Sequence, residues 1–135
     1  MGEELQAQRE LTQDLLNRLA DPGEKVRETA AEALAVSTED EDWRPDDLIL
    51  EEGIDILNEL LGEKNVHIVQ AALEVITAIA AAGEEEALLA HGTIASLDRL
   101  QDHRDPGVRG KVREALWLLT PEVEDAVTSK PQDEY

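Results

Sequence analysis

The sequence predicts an all-α protein that folds as a right-handed α-solenoid of about three helical repeats. Three observations predict this class. The 135-residue chain contains no Phe, one Tyr and two Trp, so its core must be built from aliphatic residues and Ala, which favour helices. A helical pattern of apolar residues occurs three times. The tripeptide Asp-Pro-Gly opens two of those three copies, at residues 21–23 and 105–107.

The repeated pattern is seen in "VRETAAEAL" from Val26, "IVQAALEVI" from Ile68 and "VRGKVREAL" from Val108. In each copy, small or apolar residues stand at the first, fifth, eighth and ninth places. This spacing marks one face of an α-helix. The copies begin 42 and 40 residues apart. We therefore expect one inner helix in each repeat.

A second helix is predicted before each of these inner helices. The segments "LTQDLLNRLA", "IDILNELLGE" and "IASLDRLQDH" place Leu15, Leu57 and Leu97 eleven residues ahead of the corresponding inner-helix start. Because a helical repeat buries its apolar faces against its neighbours, two stacked helices per unit give each face a partner.

The turns between paired helices carry start signals for the inner helix. Asp21 and Asp105 each precede a proline, so we expect them to be N-caps with the proline at the first helical position. Asn65 takes the same role in the second repeat. Glu24 stands three residues after Asp21 and predicts an acidic capping box.

Units two and three show signs of a third, short helix. "DDLILEEGIDIL" and "EALLAHGTIASL" both contain an apolar segment, a glycine, and then an isoleucine, at Ile54 and Ile94. Gly53 and Gly92 are predicted to break the short helix from the one that follows. Pro45 is predicted to start the short helix of unit two.

A period of about 40–47 residues is typical of helical solenoids of the HEAT and armadillo type, and the chain resembles these families over about residues 5–120. Units two and three resemble armadillo repeats, whereas unit one is more similar to a HEAT repeat. The resemblance implies a single domain over residues 1–127, with units at about 5–38, 45–82 and 84–120. A capping helix is expected at 121–127 and a flexible tail at 128–135.

The resemblance also implies that the last helix of each unit lines a concave binding face. Armadillo families that bind extended peptides carry a Trp and an Asn on that helix. The chain departs from that pattern in every unit, so peptide recognition of the nuclear-import type is not expected. Aligned by the apolar positions, the Trp places hold Glu32, Glu74 and Glu114, and the Asn places hold Val36, Ala78 and Leu118.

Two interpretations of the three glutamates stay open. They are either a solvated face, or a column of carboxylates that binds Lys or Arg of a partner protein. Nearby arginines, at positions 27, 109 and 113, would neutralise part of such a column.

The two tryptophans are further candidates for protein binding. Trp43 either packs between units one and two or is an exposed anchor, and Trp117 either packs under the C-terminal segment or is such an anchor.

The charge of the chain restricts its partners. The net charge of −20 arises from 32 acidic and 12 basic residues. Such a field repels nucleic acid and anionic lipid, so we expect neither as a direct partner. The many acids, few lysines and small core residues also resemble the composition of proteins from salt-loving microbes.

Signals for chemistry and targeting are missing from the sequence. Without cysteine, thiolate metal sites and thiol catalysis are excluded. His67, His91 and His103 form no metal-binding pattern, and there is no phosphate-binding loop. We expect no catalytic, metal or cofactor site. The N-terminus lacks the pattern of a signal peptide and no apolar run could span a bilayer, which predicts a cytoplasmic protein.

The sequence thus predicts a non-enzymatic protein–protein interaction module or adaptor, either a monomer or a homodimer. Its partner would be a protein with a basic, or mixed basic and apolar, surface. Two alternatives come from other classes. One is a regulatory or lyase-type accessory factor for a cofactor-bearing enzyme, and the other is an acidic decoy that imitates nucleic acid. An engineered repeat is also conceivable, although the units differ in length.

Overall fold

The computed structural model describes residues 2–50 and 52–119, with side chains described from residue 7 onward. Within these residues the chain forms eight α-helices and no strand. They are α1 (Gly2–Leu19), α2 (Glu24–Ser37), α3 (Asp46–Leu50), α4 (Gly53–Leu60), α5 (Val66–Ala81), α6 (Glu85–Ala90), α7 (Thr93–Asp98) and α8 (Pro106–Leu119). The predicted all-α class is confirmed. The proposed capping helix 121–127 and tail 128–135 lie outside the described residues.

The helices form two layers. The inner layer is the row α2, α5, α8, in which α5 packs against α2 on one side and α8 on the other. The remaining helices form the outer layer, where α1, α4 and α7 each pack against the inner helix that follows them. Unit one therefore has two helices, whereas units two and three have three each, the short helices being α3 and α6.

The core is continuous and aliphatic, as the composition requires. Its centre is α5, whose Leu73, Ile76 and Ile79 have no exposed surface. Leu57 and Leu97 are fully buried on the outer helices, and Leu15 is nearly so. Because each inner helix contributes its apolar face to this core, the opposite face of the inner layer is left for polar residues.

The starts of the inner helices agree with the sequence in two units and differ in the first. Asn65 caps α5 by accepting hydrogen bonds from the backbone of His67 and Ile68, and Asp105 accepts one from Val108 N at 2.9 Å. In unit one the helix begins at Glu24, with Gly23 as its N-cap. Asp21 instead accepts from Gly23 N at 2.7 Å, so the predicted cap at Asp21 was wrong.

The predicted capping box is also absent. Glu24 Oε2 accepts a hydrogen bond from Asn65 Nδ2 at 2.7 Å, and Glu28 accepts another from the same amide at 2.8 Å. The carboxylate of Glu24 is thus used between units rather than within its own helix. The turn of unit two is held to α2 through this amide.

The break before α4 lies one residue earlier than the sequence indicated. Glu52 adopts the left-handed conformation with φ +61°, whereas the equivalent residue of unit three is Gly92, with φ +74°. Gly53 is buried, and glycine is required there for a different reason. A Cβ at that position would lie 2.8 Å from the Leu48 carbonyl oxygen, so the glycine permits close packing of α3 on α4.

Candidate protein-binding face

The candidate site is the surface of α2, α5 and α8 that points away from the outer layer of helices. We call this surface the inner face. The three glutamates of the predicted column lie there on one register position of α2, α5 and α8. Glu32, Glu74 and Glu114 are all exposed. Each lies two residues before the buried or half-buried apolar residue that anchors its helix, which turns the carboxylate away from the core. The structure therefore places equivalent carboxylates on consecutive helices of the layer.

One of these carboxylates already has a cation nearby. Lys111 Nζ of α8 lies 3.7 Å from Glu74 Oε2 of α5, and both side chains are about one-third to one-half exposed. An exposed ion pair of this kind is weak. Glu74 is therefore partly neutralised, while no ion pair is seen for Glu32 or Glu114 within the described residues.

Two of the three arginines expected to neutralise the column, Arg27 and Arg109, are used elsewhere. Arg27 donates through Nε and Nη2 to both carboxylate oxygens of Glu63, at 2.7 and 3.0 Å. This hydrogen bond raises the pKa of the Arg27 guanidinium above its ordinary value. Arg109 donates through Nη1 to the His103 carbonyl oxygen at 2.6 Å. Both side chains thus stabilise the turns that precede their helices. The expectation that Arg27 and Arg109 neutralise the glutamate column was therefore wrong.

An apolar row runs beside the carboxylates, one helical turn further along each inner helix. It consists of Val36, Ala78 and Leu118, the residues at the places where peptide-binding armadillo repeats carry Asn. Val36 is 65% exposed, and Ala78 and Leu118 are half-buried. The inner face therefore offers carboxylates next to aliphatic side chains, a combination that suits a partner segment with basic and apolar residues.

The two tryptophans have different surroundings. Trp43 is half-buried, packs against the core and lines a cavity together with Gln8 and Leu11 of α1. Trp117 is 58% exposed in the described structure, at the end of the glutamate column on α8. The segment predicted to cover Trp117 begins at residue 120 and lies outside the described residues.

Within residues 2–50 and 52–119, no group of three His, Asp or Glu side chains is arranged to hold a metal ion. His91 makes a structural contact instead, because its Nδ1 lies 2.8 Å from Asp55 Oδ1 of α4. None of the described helices is long and apolar enough to cross a membrane.

The links between units were not foreseen in the sequence, although one signal was present. Arg occurs at the same register position of α2 and α8, as Arg27 and Arg109, and both bond carbonyl groups of the turn before their own helix. Arg27 also links unit one to unit two, through the carboxylate of Glu63. A second link joins Gln70 Nε2 of α5 to Asp105 Oδ2 at 3.1 Å. These contacts fix the spacing between inner helices and so the spacing of the glutamates.

Comparison with solved structures identifies the architecture. A designed armadillo repeat protein, YIII(Dq)4CqI, aligns with a TM-score of 0.70 and 25% identity. A second, YIII(Dq.V1)4CPAF in complex with the peptide (KR)4, gives 0.71 and 24%. Computationally designed armadillo repeat proteins for modular peptide recognition give 0.72 and 25%. Each alignment covers 78% of this chain and 45% of the other.

The chain therefore has an armadillo-like helical repeat fold, as the sequence predicted. It spans less than half the length of the designed proteins that it matches. No protein-family model and no curated protein matches the chain.

Proposed function

We propose that the chain is a non-enzymatic binding module whose inner face binds a basic segment of a partner protein. The observation that carries this proposal is the exposure of Glu32, Glu74 and Glu114 at one register position of three packed helices. Since the repeat fixes their order, a partner with regularly spaced Lys or Arg would meet one carboxylate in each unit. The adjacent row of Val36, Ala78 and Leu118 would contact apolar side chains between those cations.

The comparisons support a binding role at the level of the scaffold. Designed proteins with this architecture serve modular peptide recognition, and one of them is in complex with the peptide (KR)4. The site proposed for this chain differs in composition from that of Trp- and Asn-bearing repeats. The interaction would be dominated by electrostatic attraction, because the chain carries a net charge of −20 and its inner face has no exposed aromatic residue except Trp117 among the residues described.

A peptide of alternating Lys and Arg is a direct probe of the glutamate column. We expect the triple variant Glu32→Lys, Glu74→Lys, Glu114→Lys to bind it about tenfold or more weakly, because each attraction becomes a repulsion. The affinity of the unmodified chain should fall as salt rises. Both can be measured by fluorescence anisotropy of the labelled peptide.

A matched control separates the column from the overall charge. Glu10, Glu59 and Glu86 are exposed acids on α1, α4 and α6, one in each unit of the outer layer. Their triple reversal to Lys changes the net charge by the same amount and should weaken binding much less. Equal losses in the two triple variants would show that the peptide senses only the net charge, and the proposed site would be rejected.

The pair between Lys111 and Glu74 gives a test in the opposite direction. Lys111→Gln removes a cation 3.7 Å from the middle carboxylate and leaves that carboxylate free. We expect this variant to bind the same peptide more tightly than the unmodified chain does. A weaker or unchanged affinity would mean that Glu74 does not contact the peptide.

A further inference from the structure

One side of α2 is exposed, although the same side of α5 is buried. Val26 is 39% exposed, and Thr29 and Ala33, three and seven positions further on, are exposed as well. The equivalent residues of α5 are covered, in the helix that packs against α2. They are Ile68, Ala71 and Val75, each at most 4% exposed. On α2 this side is therefore accessible to another molecule.

A groove of about 290 Å³ opens on this side, between α1 and α2. Aliphatic residues form much of its wall and two cations are also part of it; the wall includes Leu15, Val26, Ala30, Ala33, Arg18 and Lys25. The side chains of Arg18 and Lys25 are 58% and 87% exposed, and each lies within 4.0 Å of an acid of its own helix. Exposed pairs of this kind are weak, so both cations remain available to a further carboxylate.

An exposed leucine and a run of acids lie beyond one end of the groove. Leu11 of α1 is 53% exposed, and it stands about one helical turn before Leu15, which lines the groove. Leu11 also lines a second cavity together with Ser37, at the end of α2. The turn that follows α2 contains four consecutive acids at residues 39–42, with Arg44 as the next base in the chain. We call the surface formed by the groove, Leu11 and these acids the unit-one face.

The two ends of the unit-one face complement each other. A two-fold rotation brings opposite ends of two identical surfaces together, so each contact forms twice. With the axis between Leu11 and the groove, Leu11 of each copy enters the groove of the other, and Lys25 of each copy meets the acids at 39–42 of the other. Asp14, also on α1, is already paired with Arg18, whose Nε lies 3.2 Å from Asp14 Oδ2.

We propose that two copies of the chain pair through the unit-one face and form a two-fold symmetric dimer. The apolar contact of Leu11 with the groove holds the copies together, and the contacts of Lys25 with the acids fix their antiparallel orientation. Glu74 and Glu114 of the inner face lie on later helices, outside this contact. The net charge of −20 on each copy opposes the pairing. The dimer should therefore be measured at about 0.15 M salt, where the screening length is about 8 Å.

Sedimentation equilibrium of the full chain gives the first test. Between about 1 μM and about 1 mM protein, we expect the average mass to rise from that of one chain towards that of two. A single-chain mass at every concentration would overturn the proposal and leave the groove to a different partner. Growth beyond two chains would also overturn it, because a two-fold contact closes at the dimer.

The exposed leucine provides a pair of matched variants. Leu11→Ser should raise the dissociation constant of the dimer about tenfold or more, because two leucine side chains lose their apolar contact in each dimer. Leu89→Ser is the control, since Leu89 of α6 is similarly exposed, at 44%, and lies in unit three. Circular dichroism shows whether both variants are folded. Equal dissociation constants for the two variants would place the dimer contact elsewhere and reject the unit-one face.

Exchange of charges between two copies tests the orientation. Lys25→Glu alone and the double variant Glu39→Lys, Glu41→Lys alone should each dimerise about threefold or more weakly, because like charges then meet at both contacts. Mixed together, the two proteins should pair more tightly than either does with itself, since both contacts become attractive.

A charge-matched control completes the mixing experiment. Lys64→Glu changes the net charge by the same amount as Lys25→Glu, at an exposed residue of the turn before α5. The double variant should pair more tightly with Lys25→Glu than with Lys64→Glu, as measured by fluorescence anisotropy of the labelled double variant. Equal affinities in the two mixtures would show that only the net charge matters, and the proposed pairing would be rejected.

Discussion

At the scale of single residues, a glycine can be required either for a left-handed backbone conformation or for its small size. The pattern placed the break between α3 and α4 at Gly53, but the left-handed residue is Glu52, with φ +61°. Gly53 is needed for its size, since a Cβ there would lie 2.8 Å from a backbone oxygen. Both requirements select glycine, so a sequence containing Gly at one of two adjacent positions does not say which requirement is met.

Substitutions at these two neighbouring positions should have opposite effects. Glu52→Gly should raise the free energy of unfolding by about 1 kcal/mol, because a left-handed conformation costs a non-glycine residue about 1–2 kcal/mol. Gly53→Ala should lower it by about 1–3 kcal/mol through overpacking. Denaturant unfolding followed by circular dichroism measures both. Glu52→Gln is the control for the lost charge, and a gain in stability from Glu52→Gln equal to that from Glu52→Gly would refute the backbone explanation.

Helices and their capping were predictable where the signal is local. The i, i+4, i+7, i+8 spacing identified α2, α5 and α8, and Asn65 was recognised as a cap, because both depend on residues within one or two turns. The partners of Arg27 and Glu24 could not be read in this way. They lie 36 and 41 residues away, in the next unit, and depend on how two units stack.

The candidate site was predictable in its positions and not in its electrostatics. Alignment by apolar residues gave the register of Glu32, Glu74 and Glu114, because a helix turns its side chains by a fixed angle per residue. Which cation lies beside them depends on inter-helix geometry. Lys111 of α8, rather than any arginine, proved to be the neighbour of Glu74.

The start of α8 should make stability depend on pH through Asp105. The backbone hydrogen bond from Val108 holds the pKa of the Asp105 carboxyl below its usual value, and Gln70 adds to the effect while burial opposes it. A lowered folded-state pKa means that ionised Asp105 stabilises the fold above the unfolded value of about 3.8. That stabilisation is lost as the pH falls through the lower, folded-state value.

Asp105→Ala should therefore destabilise the protein most near neutral pH, with the difference from the unmodified chain shrinking as the pH falls below about 3.8. Urea midpoints measured from pH 7 to pH 3 provide the comparison. Asp102→Ala, an exposed residue in the same turn, is the control and should show little difference at any pH. A deficit of Asp105→Ala that is the same at pH 7 and pH 3 would contradict the role of the ionised cap.

At the scale of the whole molecule, the excess of acids predicts that repulsion between like charges outweighs the attraction of the ion pairs. The chain has 20 more acids than bases, and several of its cations, such as Arg18 and Lys25, pair only with exposed or nearby acids of their own helix. Exposed pairs of this kind contribute little. The compact state brings the unbalanced acids closer together than the unfolded chain does, so their repulsion favours unfolding.

Salt should therefore stabilise the fold. Raising NaCl from about 0.01 M to about 0.15 M shortens the screening length from about 30 Å to about 8 Å, so the melting temperature should rise by several degrees. The variant Glu10→Gln, Glu59→Gln, Glu86→Gln, which removes three exposed outer-layer charges, should start from a higher melting temperature and respond less to salt. A melting temperature that falls with salt would show that the ion pairs, including Arg27–Glu63, dominate over the repulsion. A rise that continues into molar KCl would support the salt-adapted origin that the composition suggests, because screening alone is nearly complete well below that concentration.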